Sequence, residues 1–202
     1  MTFEKAMVIL FTKVAQTVIA ERFTHTFFDN DGNRVRKVFA YLFSVFIAIF
    51  VNLFFYKPIF NFLSIFLGLS AIALSYNGTI KRKCIFVFYI LAVSCLIDLV
   101  VSAFLIKPFG YDGYSAFVSI FALLLLHAAQ LITERFFGND LGIELNNRYW
   151  LFIIASLLVC IITSIVIFMD KTVSSFSLSL VCGAFLLVNI ITVSYTHLTL
   201  PT

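Results

Sequence analysis

Charge is what this sequence has least of. Only 12% of its 202 residues are Asp, Glu, Lys or Arg, about half the fraction of a soluble domain, which excludes an ordinary water-soluble globule. Glycine is sparse, with 8 scattered residues and no Gly-rich phosphate loop. The four cysteines, Cys84, Cys95, Cys160 and Cys182, lie inside or at the edge of apolar runs without metal-ligand spacing. They read as small apolar residues, so no metal, cofactor or disulfide is expected. No segment alternates apolar with polar residues, which argues against an outer-membrane barrel. No cleavable signal peptide is expected, because the first apolar run holds Lys13 and Gln16 and lacks a small-residue cleavage pattern.

What the chain does have is length of apolar sequence. It is 62% hydrophobic with 26 phenylalanines and a mean hydropathy of +1.07. The fold class this implies is all-α, a polytopic transmembrane helical bundle. Seven spans are expected, with six as the runner-up.

Lys81-Arg82-Lys83 organises the layout, because 84–106 behind it carries one charge, Asp98. At about 1.5 Å per residue that run crosses a hydrocarbon core roughly 30 Å thick. Clustered cations stay cytoplasmic, so these three set the direction of the helix and of its neighbours.

Span one, 6–23, is the most polar: Lys13, Gln16, Thr17 and Glu21 share one helical face. It either lies in the membrane interface or crosses with its polar stripe turned into the bundle, and the second is favoured. The loop 24–37 follows. Its Asp29-Asn30-Asp31-Gly32-Asn33 begins like a calcium loop but lacks the later ligands and closing Glu, so it reads as a polar turn. Spans two (38–56) and three (58–75) should form a tight antiparallel hairpin, Pro58 suiting a first helical turn. Asn77-Gly78-Thr79 has the form of a glycosylation acceptor, but beside the basic cluster it reads as a cytoplasmic turn. Breakers in 107–113 close span four. Span five is 114–133 and a loop follows at 134–148. Span six opens at the interfacial pair Tyr149-Trp150 and ends near Met169, and span seven covers 173–192.

Cation counting supports this layout. Nine lie on the cytoplasmic side (Arg22, Arg34, Arg36, Lys37, Lys81, Arg82, Lys83, Arg135 and Arg148) and four outside (Lys5, Lys57, Lys107 and Lys171). The C-terminus is then cytoplasmic, and a bacterial inner membrane is the expected location. The same distribution accounts for the net charge of +4 without nucleic acid, so the lipid bilayer is the expected partner.

The candidate functional residues are the polar ones inside spans. Asp98 lies about 21 Å from the inner boundary and Lys13 about 15 Å, a difference a lysine side chain can cover. A Lys13–Asp98 pair locking spans one and four is one reading, and a protonated Asp98 bonded to a neighbouring helix is the other. His127 and Gln130, with Glu134 beyond, share a face of span five and read as a polar seam between helices. Asn52 and Asn61, toward the outer ends of spans two and three, either bond across the hairpin or line an outward-facing ligand pocket.

Residues 193–202 break the apolar pattern abruptly. They resemble the translation of one reading frame of a transposase-based sequencing adapter, residue for residue. The native sequence is therefore expected to end near Thr192, making 1–192 a transmembrane sensor region and 193–202 an adapter-derived tail that includes His197.

The Ser75-Tyr76-Asn77-Gly78-Thr79-Ile80-Lys81-Arg82-Lys83 turn, Asp98 and the Tyr149-Trp150 opening resemble the membrane input region of GHKL-type sensor histidine kinases, the accessory gene regulator sensors. That resemblance covers nearly all of 1–192. It implies a peptide-responsive, homodimeric two-component sensor whose linker, phosphoacceptor histidine and ATP-binding domain have no match in this chain, so no enzyme activity is expected of it as given. The same systems include a membrane peptidase with a histidine and a cysteine near the cytoplasmic surface. Cys84 sits at that depth, but His25 is distant in sequence and the expected spacing is missing. A small transporter or transporter subunit is the rival class. It would often show an internal repeat or paired Gly/Pro interruptions, whereas Gly68 and Gly183 are isolated.

Overall fold

A computed structural model describes residues 3–28, 33–55, 58–111, 113, 115–137, 158 and 161, and these are all-helical. The expected spans six and seven, Tyr149-Trp150 and the tail at 193–202 lie outside the described residues, apart from Leu158 and Ile161 in span six.

Helix α1 is Phe3–Phe27, longer at both ends than the apolar run. It buries Ile9, Lys13, Ala20, Phe23, Thr24 and Phe27, a face of helical periodicity with a lysine in it. That face packs against three other helices of the bundle, which turns Lys13, Gln16 and Thr17 inward, while Glu21 is exposed.

Helix α2, Arg34–Phe54, starts four residues before the expected span. Asn33 caps it by accepting from the Val35 N–H at 3.0 Å. Arg34, Arg36 and Lys37 therefore sit in its first turns and not in a loop. Helix α4 repeats the correction. It begins at Ile80, with Thr79 accepting from the Arg82 N–H at 3.4 Å, so the Lys81-Arg82-Lys83 cluster is helical. Cations at a helix N-terminus oppose the macrodipole by about 0.3–1 kcal/mol each. A helix outruns the hydrocarbon at its ends, whereas a span count from hydropathy stops where charge begins.

Helix α3, Pro58–Ser75, returns along α2 as an antiparallel hairpin. The register is set by three cross-pairs: Tyr41 with Tyr76, Ser44 with Gly68, and Asn52 with Asn61. Gly68 permits the close crossing. A Cβ there would run into the Ser44 hydroxyl and lie 3.1 Å from its Cβ.

The Lys107-Pro108 breaker does not end α4, which runs Ile80–Phe109 as one helical rod of 30 residues. A π-turn over Ser102–Ile106 precedes the proline, with the Lys107 N–H donating to the Ser102 carbonyl. A proline ring ordinarily clashes with the carbonyl four residues back, and the wider turn relieves that clash. Gly110, at φ +66°, then stops the helix in the left-handed conformation that glycine tolerates. Helix α5, Ala116–Phe137, starts at Ser115, whose hydroxyl accepts from the Val118 N–H at 3.3 Å. It continues past the expected end at Thr133, placing Glu134 inside the helix.

The bundle has an apolar core around Phe23, Ile72, Phe86 and Leu91, and its surface is apolar as well. Thr24, Ser64, Gln130 and Thr133 are almost fully buried, while Phe39 and Phe46 of α2 and Leu124 of α5 are each more than 60% exposed. In water such a surface would associate, whereas in hydrocarbon it is ordinary. Three helices, Arg34–Phe54, Ile80–Phe109 and Ala116–Arg135, are long and apolar enough to cross a membrane, and Ile59–Ser75 is apolar but shorter.

Candidate functional site

A cavity of about 110 Å³ opens at the centre of the bundle, and all five helices contribute to its wall. Lys13, Gln16 and Thr17 come from α1, Ser44 from α2, Asn61 and Ser64 from α3, and Ser94 and Asp98 from α4. Ala122 and Leu126 of α5 close one side with apolar surface. So many hydroxyl, amide and charged groups inside a bundle with a phenylalanine exterior make this the candidate site.

Lys13 is buried, and its ammonium donates to Gln16 Oε1 at 3.2 Å and to Asn61 Oδ1 at 3.3 Å. Asn61 Oδ1 also accepts from Asn52 Nδ2 at 2.9 Å, and Asn52 in turn donates to the Ala48 carbonyl at 2.8 Å. One acceptor oxygen thus ties α1, α2 and α3 together. The Thr17 and Ser64 hydroxyls donate to the backbone carbonyls of Lys13 and Asn61, at 2.9 and 2.7 Å.

Asp98 lines the same cavity, but no ion pair joins it to Lys13, and among the described residues its carboxylate accepts no hydrogen bond. Of the two sequence readings, a Lys13–Asp98 pair or a protonated Asp98 bonded to a neighbouring helix, neither direct contact is formed among the described residues. The reason is local: Gln16, one turn along α1, and Asn61, facing it from α3, reach the ammonium first. Asp98 is exposed, because it looks into the open cavity.

His127 and Gln130 do not line this cavity. Gln130 is fully buried and donates to Glu134 Oε2 at 2.6 Å within its own helix, while its Oε1 has no partner. His127 is half-buried and takes no hydrogen bond among the described residues. The bond that joins α4 to α5 is instead Tyr89 to Thr133, at 2.8 Å.

A second polar cluster sits at the opposite end of the α2–α3 hairpin from Asn52 and Asn61. Thr24 donates to the Tyr76 hydroxyl at 3.0 Å, Tyr41 and Tyr76 hydroxyls are 3.0 Å apart, and the Lys37 ammonium lies 4.2 Å above the Tyr76 ring. Phe28 stacks on the same ring at 5.4 Å between ring centres. In sequence Tyr76 figures only in the 75–83 turn and Lys37 only as a cytoplasmic cation, and no spacing links them to Thr24, Phe28 or Tyr41. Replacing Tyr76 with phenylalanine keeps the ring contacts and removes two hydroxyl bonds. It is expected to cost about 1 kcal/mol, measurable as a lowered unfolding temperature of the purified protein in nanodiscs.

Among the described residues no group of three or more His, Cys, Asp or Glu side chains gathers to hold a metal. Cys84 and Cys95 are not joined in a disulfide. Comparison with protein-family models, with curated proteins and with solved structures finds no match. Within the cavity a cation, Lys13, and an anion, Asp98, line one space.

Proposed function

We propose that the chain is the membrane input region of a two-component sensor histidine kinase, in which occupancy of the central cavity shifts helix packing and biases a cytoplasmic output domain. The observation that carries this reading is the cavity wall, because Lys13, Asn61 and Asp98 come from three different helices. A ligand there changes the relative stability of two packings if it binds them unequally. In this reading the chain crosses a bacterial inner membrane seven times, or six if α1 stays on one side. Its C-terminus is cytoplasmic, the signal is a short peptide or a piece of one, and the working unit is a homodimer. The resemblance of the Ser75 to Lys83 turn and Asp98 to GHKL-type sensors supports that assignment.

One observation favours a second reading, a small transporter. The π-turn at Ser102–Ile106 begins one helical turn after Asp98, and transporters place interrupted helices beside polar sites near the bilayer midplane. Uptake of a ligand into sealed vesicles would establish it.

Two experiments test the proposal. Sequencing the locus from source DNA with a library free of transposase adapters is expected to show the frame continuing past Thr192 into a helical linker with a phosphoacceptor histidine and an ATP-binding domain. A stop codon at that point would overturn the sensor reading. For the topology, a single cysteine is placed at Asn77 or at Phe109 after the native cysteines are changed to alanine. An impermeant maleimide should label Phe109→Cys in intact cells and Asn77→Cys only after permeabilisation. The opposite pattern would reverse the orientation of α4.

A further inference from the structure

The geometry points to a small zwitterion as the ligand of the central cavity, its carboxylate held by Lys13 and its ammonium by Asp98. The inference rests on the reading of this cavity as the input site, and it names the chemical class that the site takes.

The argument begins with what the two charges lack. The ammonium of Lys13 has only neutral acceptors, Gln16 and Asn61, and the carboxylate of Asp98 has no donor among the described residues. Charges inside a membrane bundle are costly unless paired or hydrogen-bonded. Here a cation and an anion line one space and do not close on each other. A direct pair would fill the gap between them, whereas the bonds from Lys13 to Gln16 and Asn61 hold the ammonium where it is. The wall between them is mixed, with Ile90, Ile97 and Leu126 beside the Ser94 hydroxyl one turn before Asp98 on α4.

Size narrows the class. An apolar cavity of about 150 Å³ takes one benzene, so a cavity of about 110 Å³ has room for about five heavy atoms. That is the size of glycine. An anion alone would leave Asp98 uncompensated, and a cation alone would leave Lys13 so. A molecule carrying both charges a few bonds apart neutralises each wall at once, and this complementarity selects it over either single-charge analogue.

The test is equilibrium binding of labelled glycine to the protein in nanodiscs, with methylamine and acetate as the single-charge probes. Saturable glycine binding is expected, with both analogues at least tenfold weaker. Lys13→Met and Asp98→Asn should each weaken glycine at least tenfold, and Ser94→Leu, which fills the cavity and leaves both charges in place, should abolish binding. Equal binding of the three probes, or no saturable glycine binding by the unmodified protein, overturns the inference whether or not the variants fold. Its failure is separable from that of the input reading. If glycine does not bind, yet Ser94→Leu abolishes signal-dependent phosphorylation by the full-length protein, the zwitterion falls and the input site stands. Glycine binding that leaves phosphorylation unchanged supports the zwitterion and overturns the input reading.

Discussion

Substituting leucine for Gly68 is expected to destabilise the bundle by about 3 kcal/mol, the upper end of what overpacking costs. The site leaves no space to one side of the α2–α3 crossing. Any Cβ at position 68 meets the Ser44 hydroxyl, and behind that the Ser44 Cβ at 3.1 Å and Cα at 3.3 Å. A hydroxyl can rotate away, but a backbone atom cannot, so the two helices must separate. Separation is resisted at both ends of the hairpin, by the Tyr41–Tyr76 and Asn52–Asn61 bonds. Gly68→Ala should cost less, about 1–2 kcal/mol, and Ser44→Gly in the same protein should recover most of it by removing the obstructing atoms. Thermal unfolding in nanodiscs, followed by circular dichroism, reads both. A Gly68→Leu protein as stable as the parent would mean that α2 and α3 do not cross where described.

Reversing the charge of Asp98 to lysine is the second large effect. It puts two cations on one cavity and removes the anion that faced Lys13. At an effective dielectric of about 20, unit charges beyond ion-pair distance interact by less than about 4 kcal/mol. Attraction becomes repulsion, but Asp98 opens onto the cavity, and water there screens the change. The expected net loss is about 2 kcal/mol, larger than that for Asp98→Asn, which keeps the shape and leaves only Lys13 uncompensated. The same unfolding assay measures it. An Asp98→Lys protein with unaltered stability would mean that residue 98 faces bulk water or lipid headgroups.

The helices were legible in the sequence because long apolar runs without charge admit few other solutions in a membrane. Their ends were not. Arg34, Arg36, Lys37 and Lys81 to Lys83 read as loop because hydropathy measures burial in hydrocarbon, and a capped helix continues where hydrocarbon stops. Pro108 read as a breaker because the rule assumes the ordinary turn, and the π-turn before it is invisible to residue propensity.

The site divides the same way. Lys13, Asn61 and Asp98 could be singled out because polar groups in spans turn inward. Depth along a helix follows from counting residues, but the partner of each group depends on rotation about the axis and on side-chain reach. Gln16 and Asn61 therefore take the ammonium that depth alone assigned to Asp98. The Thr24–Tyr41–Tyr76 cluster escaped notice for a related reason, since three residues from three elements carry no common spacing.

The central claim is that Lys13 of α1 and Asp98 of α4 face one cavity and feel each other across it. The most direct measurement is the stability of the exchanged protein, Lys13→Asp with Asp98→Lys, beside its two single variants in nanodiscs. The account predicts that the exchange recovers about 1–2 kcal/mol relative to the sum of the single losses, the coupling expected of nearby charges. Losses that simply add would contradict it, and would place the two residues on separate faces of the bundle.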